Sequence, residues 1–202
     1  MSETVSMSAV MQRMFEEPPQ GADKYVGAVA SGYNAKREDS DKWRIEQRVV
    51  EDMLSDLPSG SWVLDVPCGT GRFFPFYASK GFLVKALDLS EDMLRKAAEV
   101  MQDNIRLARV GDARETGLED KSVDAAVMVR LTRWLSPEGC VKALKEMQRV
   151  ARKRIVFTAR VRNHAHARPY GLIASALDGW KIARDEAGAD MDYRIIELVP
   201  TG

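Results

Sequence analysis

The run VLDVPCGTGRF, residues 63–73, decides how the rest of this 202-residue chain is read. With Trp62 its first half is a short β-prone stretch that ends on an acid, and its second half is the glycine loop Gly69-Thr70-Gly71. An open α/β sheet takes its ligand in such loops, outside the carboxyl ends of strands where the strand order reverses. Glycines there carry no Cβ, so a ligand can touch the backbone and unusual φ values cost little. The pair Pro67-Cys68 inside the run admits a second reading, a cysteine nucleophile of the kind that attacks pyrimidine rings.

Upstream, residues 42–57 read as a helix. Ile45, Val49, Val50, Met53, Leu54 and Leu57 recur at three- and four-residue spacing, and Pro58-Ser59-Gly60 stops the run. Downstream, 83–87 reads as a strand, and Ser90 caps a helix with the apolar face Met93, Leu94, Ala97, Ala98 and Met101. Two more strands are expected at 105–110 and 123–128. Ser136-Pro137 opens a helix, cap first and proline at the first helical position, with Val141, Leu144, Met147 or Gln148, and Ala151 as its buried stripe. A fifth strand falls at 155–159, and 180–184 with 193–199 close the chain around Ala187-Gly188-Ala189. Strands alternating with helices predict a parallel sheet covered on both faces. The closing pair has no room for a crossover helix, so the last strand should run antiparallel.

Bulk properties narrow the class. Lys+Arg and Asp+Glu both total 30, so no overall field favours nucleic acid or a membrane surface. Two cysteines, Cys68 and Cys140, fit a reducing compartment better than a disulfide scaffold. No apolar run approaches the ~20 residues of a membrane span, and the N-terminus lacks the apolar core of a signal peptide. The expectation is a cytoplasmic protein. Its first 20 residues should form a flexible arm. Residues 21–202 should form one domain: N-terminal helices as a partial lid (21–60), a cofactor-binding core (61–160), and an acceptor-side loop with the closing hairpin (161–202).

Three expected strand ends carry acids: Asp65, then Asp88, 23 positions further on and near the ~20 expected for a carboxylate on ribose hydroxyls, then Asp112 in Gly111-Asp112-Ala113. Dinucleotide binding calls for a third glycine where Phe74 stands, and no Gly-Lys-Ser/Thr follows to make a P-loop. Acidic tips also repel a pyrophosphate. They suit a cofactor with hydroxyls, an exocyclic amine and positive charge, all of which S-adenosylmethionine has.

From about Tyr25 onward the chain resembles the class I S-adenosylmethionine-dependent methyltransferases, particularly small bacterial ones with an LDVPCGTGR-type first motif. Pro67 stands where that family commonly has the first glycine of D-x-G-x-G-x-G. The resemblance implies a Rossmann-like three-layer α/β sandwich with a seven-stranded, mostly parallel sheet. It also implies S-adenosylmethionine as cofactor and S-adenosylhomocysteine as product. By position, Asp65 and Gly69 would lie near the methionine ammonium, with Pro67, Cys68 and Gly71 completing the loop. Asp88 would hold the ribose, Leu89 and Met93 would face the adenine, and Asp112 with Ala113 would read its edge. Val129 and Arg130 would border the methionine portion, and Tyr25 and Tyr33 would fold over the cofactor.

The two readings of Pro67-Cys68 now separate. Cytosine-C5 enzymes place their Pro-Cys after the fourth strand, and here that strand ends in VMVRLTRWL, without a cysteine and without the Asn/Asp-Pro-Pro-Tyr/Phe run of amino-methylating DNA enzymes. Cys68 is expected to pack beside the cofactor. Methyl transfer needs the acceptor positioned and, where required, a proton taken, so few acceptor-side residues are obligatory. His164, Tyr33 and Arg133 are the catalytic candidates; His164 and His166 lack a neighbouring carboxylate or cysteine, so no metal is expected. Nine Lys/Arg against one acid, Glu146, lie in 141–170. Arg152, Lys153 and Arg154 should sit in a solvated turn at the far edge, and Arg160, Arg162 and Arg168 should join Arg130 and Arg133 at the catalytic edge. That group fits a small anionic acceptor methylated on O or N, or pairs with acids of the N-terminal segment. The alternatives are an RNA or protein methyltransferase, and an inactive regulator that only binds the adenosyl cofactor.

Overall fold

The computed structural model describes residues 27, 40–162, 167–188, 190 and 192–202. In chain order the elements are α1 (Asp41–Leu54), β1 (Trp62–Asp65), α2 (Phe74–Ser79), β2 (Leu83–Asp88), α3 (Glu91–Ala98), β3 (Ile105–Val110), β4 (Val123–Met128), a 3-10 turn (Thr132–Trp134), α4 (Pro137–Val150), β5 (Ala151–Arg160), α5 (Tyr170–Ala176), β6 (Trp180–Ala187) and β7 (Tyr193–Pro200). Serines begin three of the helices. The hydroxyls of Ser40, Ser90 and Ser136 accept from the amides of Trp43, Met93 and Gly139, and each such cap is worth about 1 kcal/mol.

The seven strands form one sheet in the order β3-β2-β1-β4-β5-β7-β6. The pairs among β1 to β5 are parallel, and β7 runs antiparallel to both β5 and β6. Alternate residues on each strand feed two different cores. Leu64, Met128, Phe157 and Ile196 pack with Leu144 and Met147 of α4 and Ile173 of α5. Val63, Val127, Val156 and Ile195 pack with Val50, Met53 and Leu54 of α1 and with Phe74 and Tyr77 of α2. Every residue of β4 is buried, as a strand covered on both faces requires.

The chain leaves β1 toward β2 and β3 on one side and returns to β4 and β5 on the other. The strand order therefore reverses between β1 and β4, and a crevice opens at their carboxyl ends. Two expectations need correcting. Strand β5 begins at Ala151, so Arg152, Lys153 and Arg154 are strand residues in ion pairs, not a solvated turn. Arg152 and Lys153 reach the buried Asp124, and Arg154 joins Asp56 and Glu197. Helix α5 was not expected; its seven residues bury only Ile173 and Ala176, too short a stripe to register as a period.

Candidate functional site

A cavity of about 380 Å³ occupies that crevice and extends along the sheet edge toward β7. Its walls come from the glycine loop, the tips of β2, β3, β4 and β5, the start of α1 and Tyr193. Of the expected cofactor residues, Pro67, Cys68, Gly69, Asp88, Leu89, Met93, Asp112, Ala113, Val129 and Arg130 line it, and so does Arg133. Asp65 and Gly71 do not. Tyr25, Tyr33, His164 and His166 lie outside the described residues. One point of the N-terminal segment is placed: the Gly27 amide donates to Asp92 at 2.6 Å, in the first turn of α3 beside Met93.

The two loop glycines do different things. Gly69 has φ +56°, and no atom lies within 4 Å of where its Cβ would stand, so the missing methyl leaves room in the crevice. Gly71 has φ +76°, and a Cβ there would come within 2.7 Å of the Phe74 ring and 2.9 Å of Val100. The ring fills the place where a third glycine would let helix and strand approach. Gly71→Ala should therefore cost stability, about 2–4 kcal/mol from left-handed strain and overpacking together. Gly69→Ala should cost only about 1–2 kcal/mol of strain, leaving a folded protein whose cavity is blocked. Thermal melts read beside ligand titration would show it. Equal stability losses at the two positions would contradict this division.

Asp88 is the loop's anchor. One carboxylate oxygen accepts from the Gly69 amide and the other from the Ser90 amide, each at 2.8 Å. Burial raises its pKa, and those amides pull the other way. Asp112 is held in its own turn. Its carboxylate takes the Arg114 guanidinium through both oxygens, at 2.6–3.1 Å, and the Arg114 amide at 2.8 Å. Cys68 is buried, and burial together with Asp65 and Asp88 pushes its thiol well above the usual range, the opposite of an activated nucleophile.

The expectation that three acids meet in the cavity is corrected at Asp65. It shares strand parity with Val63, so its side chain points under the loop into the core of α1 and α2, beside Tyr77. Its Oδ2 and the Tyr77 hydroxyl are both buried, and neither completes a well-aligned hydrogen bond. Burial pushes the Asp65 carboxyl up to about 8; the Tyr77 hydroxyl pulls it down and the Asp88 charge adds to the rise. Below pH 4 the carboxyl is protonated in both folded and unfolded chains. From there to about pH 8 only the folded chain keeps the proton, so this group makes stability fall with rising pH, by up to about 1.4 kcal/mol per unit. Asp65→Asn should flatten the decline in denaturation midpoint between pH 5 and pH 8. An unchanged slope in the variant would show that Asp65 ionises normally.

Behind the other half of the cavity wall lies a residue the sequence reading passed over. Glu46 of α1 is fully buried and gathers three donors: the Arg72 guanidinium, Arg130 Nε at 2.8 Å and the Tyr193 hydroxyl. Arg72 also donates to the Trp43 carbonyl and to Gln47 Oε1 at 2.6 Å, and it stacks on the Trp43 ring, 3.7 Å from the centroid. Arg130 sits at the tip of β4 with φ +62°, its amide held by Thr158 Oγ1 at 2.7 Å. Two guanidiniums against one carboxylate leave positive charge at the cavity wall. Tyr193 is raised well above its usual pKa by burial and by Glu46, which rules it out as a base at neutral pH. A signal for Glu46 existed: the buried stripe of α1 is Trp43, Glu46, Val50, Met53 and Leu54, and only helical spacing from Trp43 shows the acid inside it.

The expected arginine cluster divides. Arg168 is buried and donates to the carbonyls of Leu135 and Ala167, a structural role. Arg162 is exposed beside Asp192, 3.4 Å away, and Arg160 pairs with Asp190 at 3.2 Å on the cavity rim. Arg133 stacks on Trp134 and has no ion-pair partner among the described residues.

A doubly wound sheet with a glycine loop and an acid-anchored crevice at the switch point is the architecture of an enzyme class that holds a nucleoside-type cofactor. A family model described as a methyltransferase domain matches residues 63–154. The chain is 34% identical over 138 residues to malonyl-[acyl-carrier protein] O-methyltransferase of Yersinia pestis, a match covering 67% of this chain and 49% of that one. It thus spans about half the length of that relative. Among solved structures, magnesium protoporphyrin IX methyltransferase from Synechocystis, with bound S-adenosylhomocysteine, superposes with a TM-score of 0.73 at 17% identity, over 89% of this chain and 97% of that one. At that identity the likeness is one of fold. A [4+2]-cyclase shares the fold as well, at a TM-score of 0.65 and 16% identity, covering 77% of this chain and 81% of that one. Residues 63–154 thus match a methyltransferase domain, set in a fold that this chain shares with a methyltransferase crystallised with S-adenosylhomocysteine.

Proposed function

We propose that this protein is an S-adenosylmethionine-dependent methyltransferase that moves a methyl group to O or N of a small, anionic metabolite. The observation that carries the reading is the Gly69 cradle, open to the cavity and clamped by Asp88, with a basic wall opposite. The residues suit the cofactor. Asp88 stands where ribose hydroxyls can donate to a carboxylate, Leu89 and Met93 offer apolar walls to a purine, and Arg130 can meet the methionine carboxylate. When bound, the cofactor supplies an electrophilic methyl on a sulfonium. The chain's part is to hold the acceptor in line and exclude water, which a largely pre-formed cavity of this volume can do.

The relatives' names include an O-methyltransferase, which supports oxygen as the attacked atom. The cyclase of the same fold favours keeping a second reading, in which the cofactor is bound without methyl transfer. Incubating the protein with methyl-labelled S-adenosylmethionine and size-fractionated cell extract separates the cases. The expected result is label in the low-molecular-weight fraction, retained on an anion exchanger. Label in RNA or protein would overturn the small-acceptor reading, and none in any fraction would favour the non-transferring one.

A further inference from the structure

We propose that Lys42 and Arg160, set against the ring of Tyr193 at the far end of the cavity, form a seat for a carboxylate that orients the methyl acceptor and is not itself methylated. The inference rests on the methyltransferase reading and goes further, naming the charged handle of the acceptor and the residues that read it.

Both cations line the cavity and lie against one aromatic ring: Lys42 Nζ is 5.1 Å and the Arg160 guanidinium 5.5 Å from the centroid of Tyr193. The ring is fixed from behind, since its hydroxyl is bonded to the buried Glu46. Lys42 has no ion-pair partner among the described residues. The charged groups around it are Arg160 and Arg130, which disfavour its ammonium form, and Asp190 and Glu46, which favour it; burial and Arg160 prevail, and its pKa is lowered. A lysine held near an arginine in a half-buried cleft, without an acid of its own, is a place where an oxyanion relieves repulsion.

Charge counting selects the anion. Lys42 and Arg160 contribute two positive charges, and Asp190, at 3.2 Å from Arg160, contributes one negative. One positive charge remains, which matches a carboxylate and leaves a phosphate dianion overcompensated. Position separates the seat from the cofactor. Asp88 ends β2 and Arg160 ends β5, three strand spacings apart in the sheet, or roughly 14 Å. A carboxylate clamped by two cations is also a poor nucleophile, because the donors hold the lone pairs that would attack. The seat therefore suits a handle, with the reacting atom nearer β4.

The test uses the full chain saturated with S-adenosylhomocysteine, with butanoate as the probe and butanamide and inorganic phosphate as comparisons. Isothermal titration should show butanoate binding in the millimolar range, butanamide undetectable and phosphate weaker than butanoate. Lys42→Met should weaken butanoate at least tenfold, and Lys42→Arg, which keeps the charge, should restore it to within about threefold of wild type. Retained S-adenosylhomocysteine binding by each variant certifies its fold. Unaltered butanoate affinity in Lys42→Met, equal binding of butanamide, or tighter binding of phosphate would overturn the seat while leaving the methyltransferase reading intact. A wild-type protein that binds no S-adenosylhomocysteine would instead sink that underlying reading.

Discussion

Glu46→Gln should lower the stability of this protein by about 3–5 kcal/mol, the range for removing one partner of a buried ion pair. Glutamine keeps the shape of the side chain but not its charge, so Arg72 and Arg130 would both lose the carboxylate that they share at the cavity wall. Burial already lowers the Arg72 pKa, and the attraction of Glu46 is what opposes that effect. At about 2–4 °C per kcal/mol for a chain of this size, the thermal midpoint should fall by roughly 6–20 °C. Asp120→Asn, which breaks the exposed pair with Arg149, should cost under about 1 kcal/mol. If both variants melted alike, within a degree or two of wild type, Glu46 would not be the hub described here.

Asp88→Ala should bind S-adenosylhomocysteine about 100-fold more weakly than wild type, a loss of about 2.7 kcal/mol. The carboxylate orders the loop through the Gly69 amide, anchors Ser90 at the start of α3, and faces the cavity where ribose hydroxyls would donate. Hydrogen bonds to a charged group are worth about 1.5–3 kcal/mol each, so losing the ligand's share alone reaches this magnitude. Asp88→Asn keeps one acceptor oxygen and should lose about tenfold. Calorimetric titration of the three proteins would check the series, and an Asp88→Ala affinity within threefold of wild type would remove Asp88 from the site.

What the sequence made legible was local. Strands β3 and β4 coincide with the expected 105–110 and 123–128, and the Ser90 and Ser136 caps are signals contained within a few residues. The glycine loop and Asp88 belong to the same kind, since a turn and a strand tip announce themselves in a short window. The missed features are long-range. Tyr193 meets Glu46 across 147 positions, and Arg154 meets Asp56 across 98, so no window on either partner shows the other. The start of β5 was hidden because its first residues are charged, and their acids lie on β4, α1's end and β7. Asp65 differs from these. Strand parity with Val63 turns its side chain away from the crevice, whatever its place in the motif.

The measurement that bears most directly on the account is calorimetric titration of the wild-type protein with S-adenosylmethionine and S-adenosylhomocysteine, with NAD as the control. The account predicts micromolar binding of both adenosyl ligands at one site per chain and none of NAD. Binding of NAD, or of neither adenosyl ligand, would contradict it, because the Gly69 cradle and Asp88 would then be serving some other ligand or none.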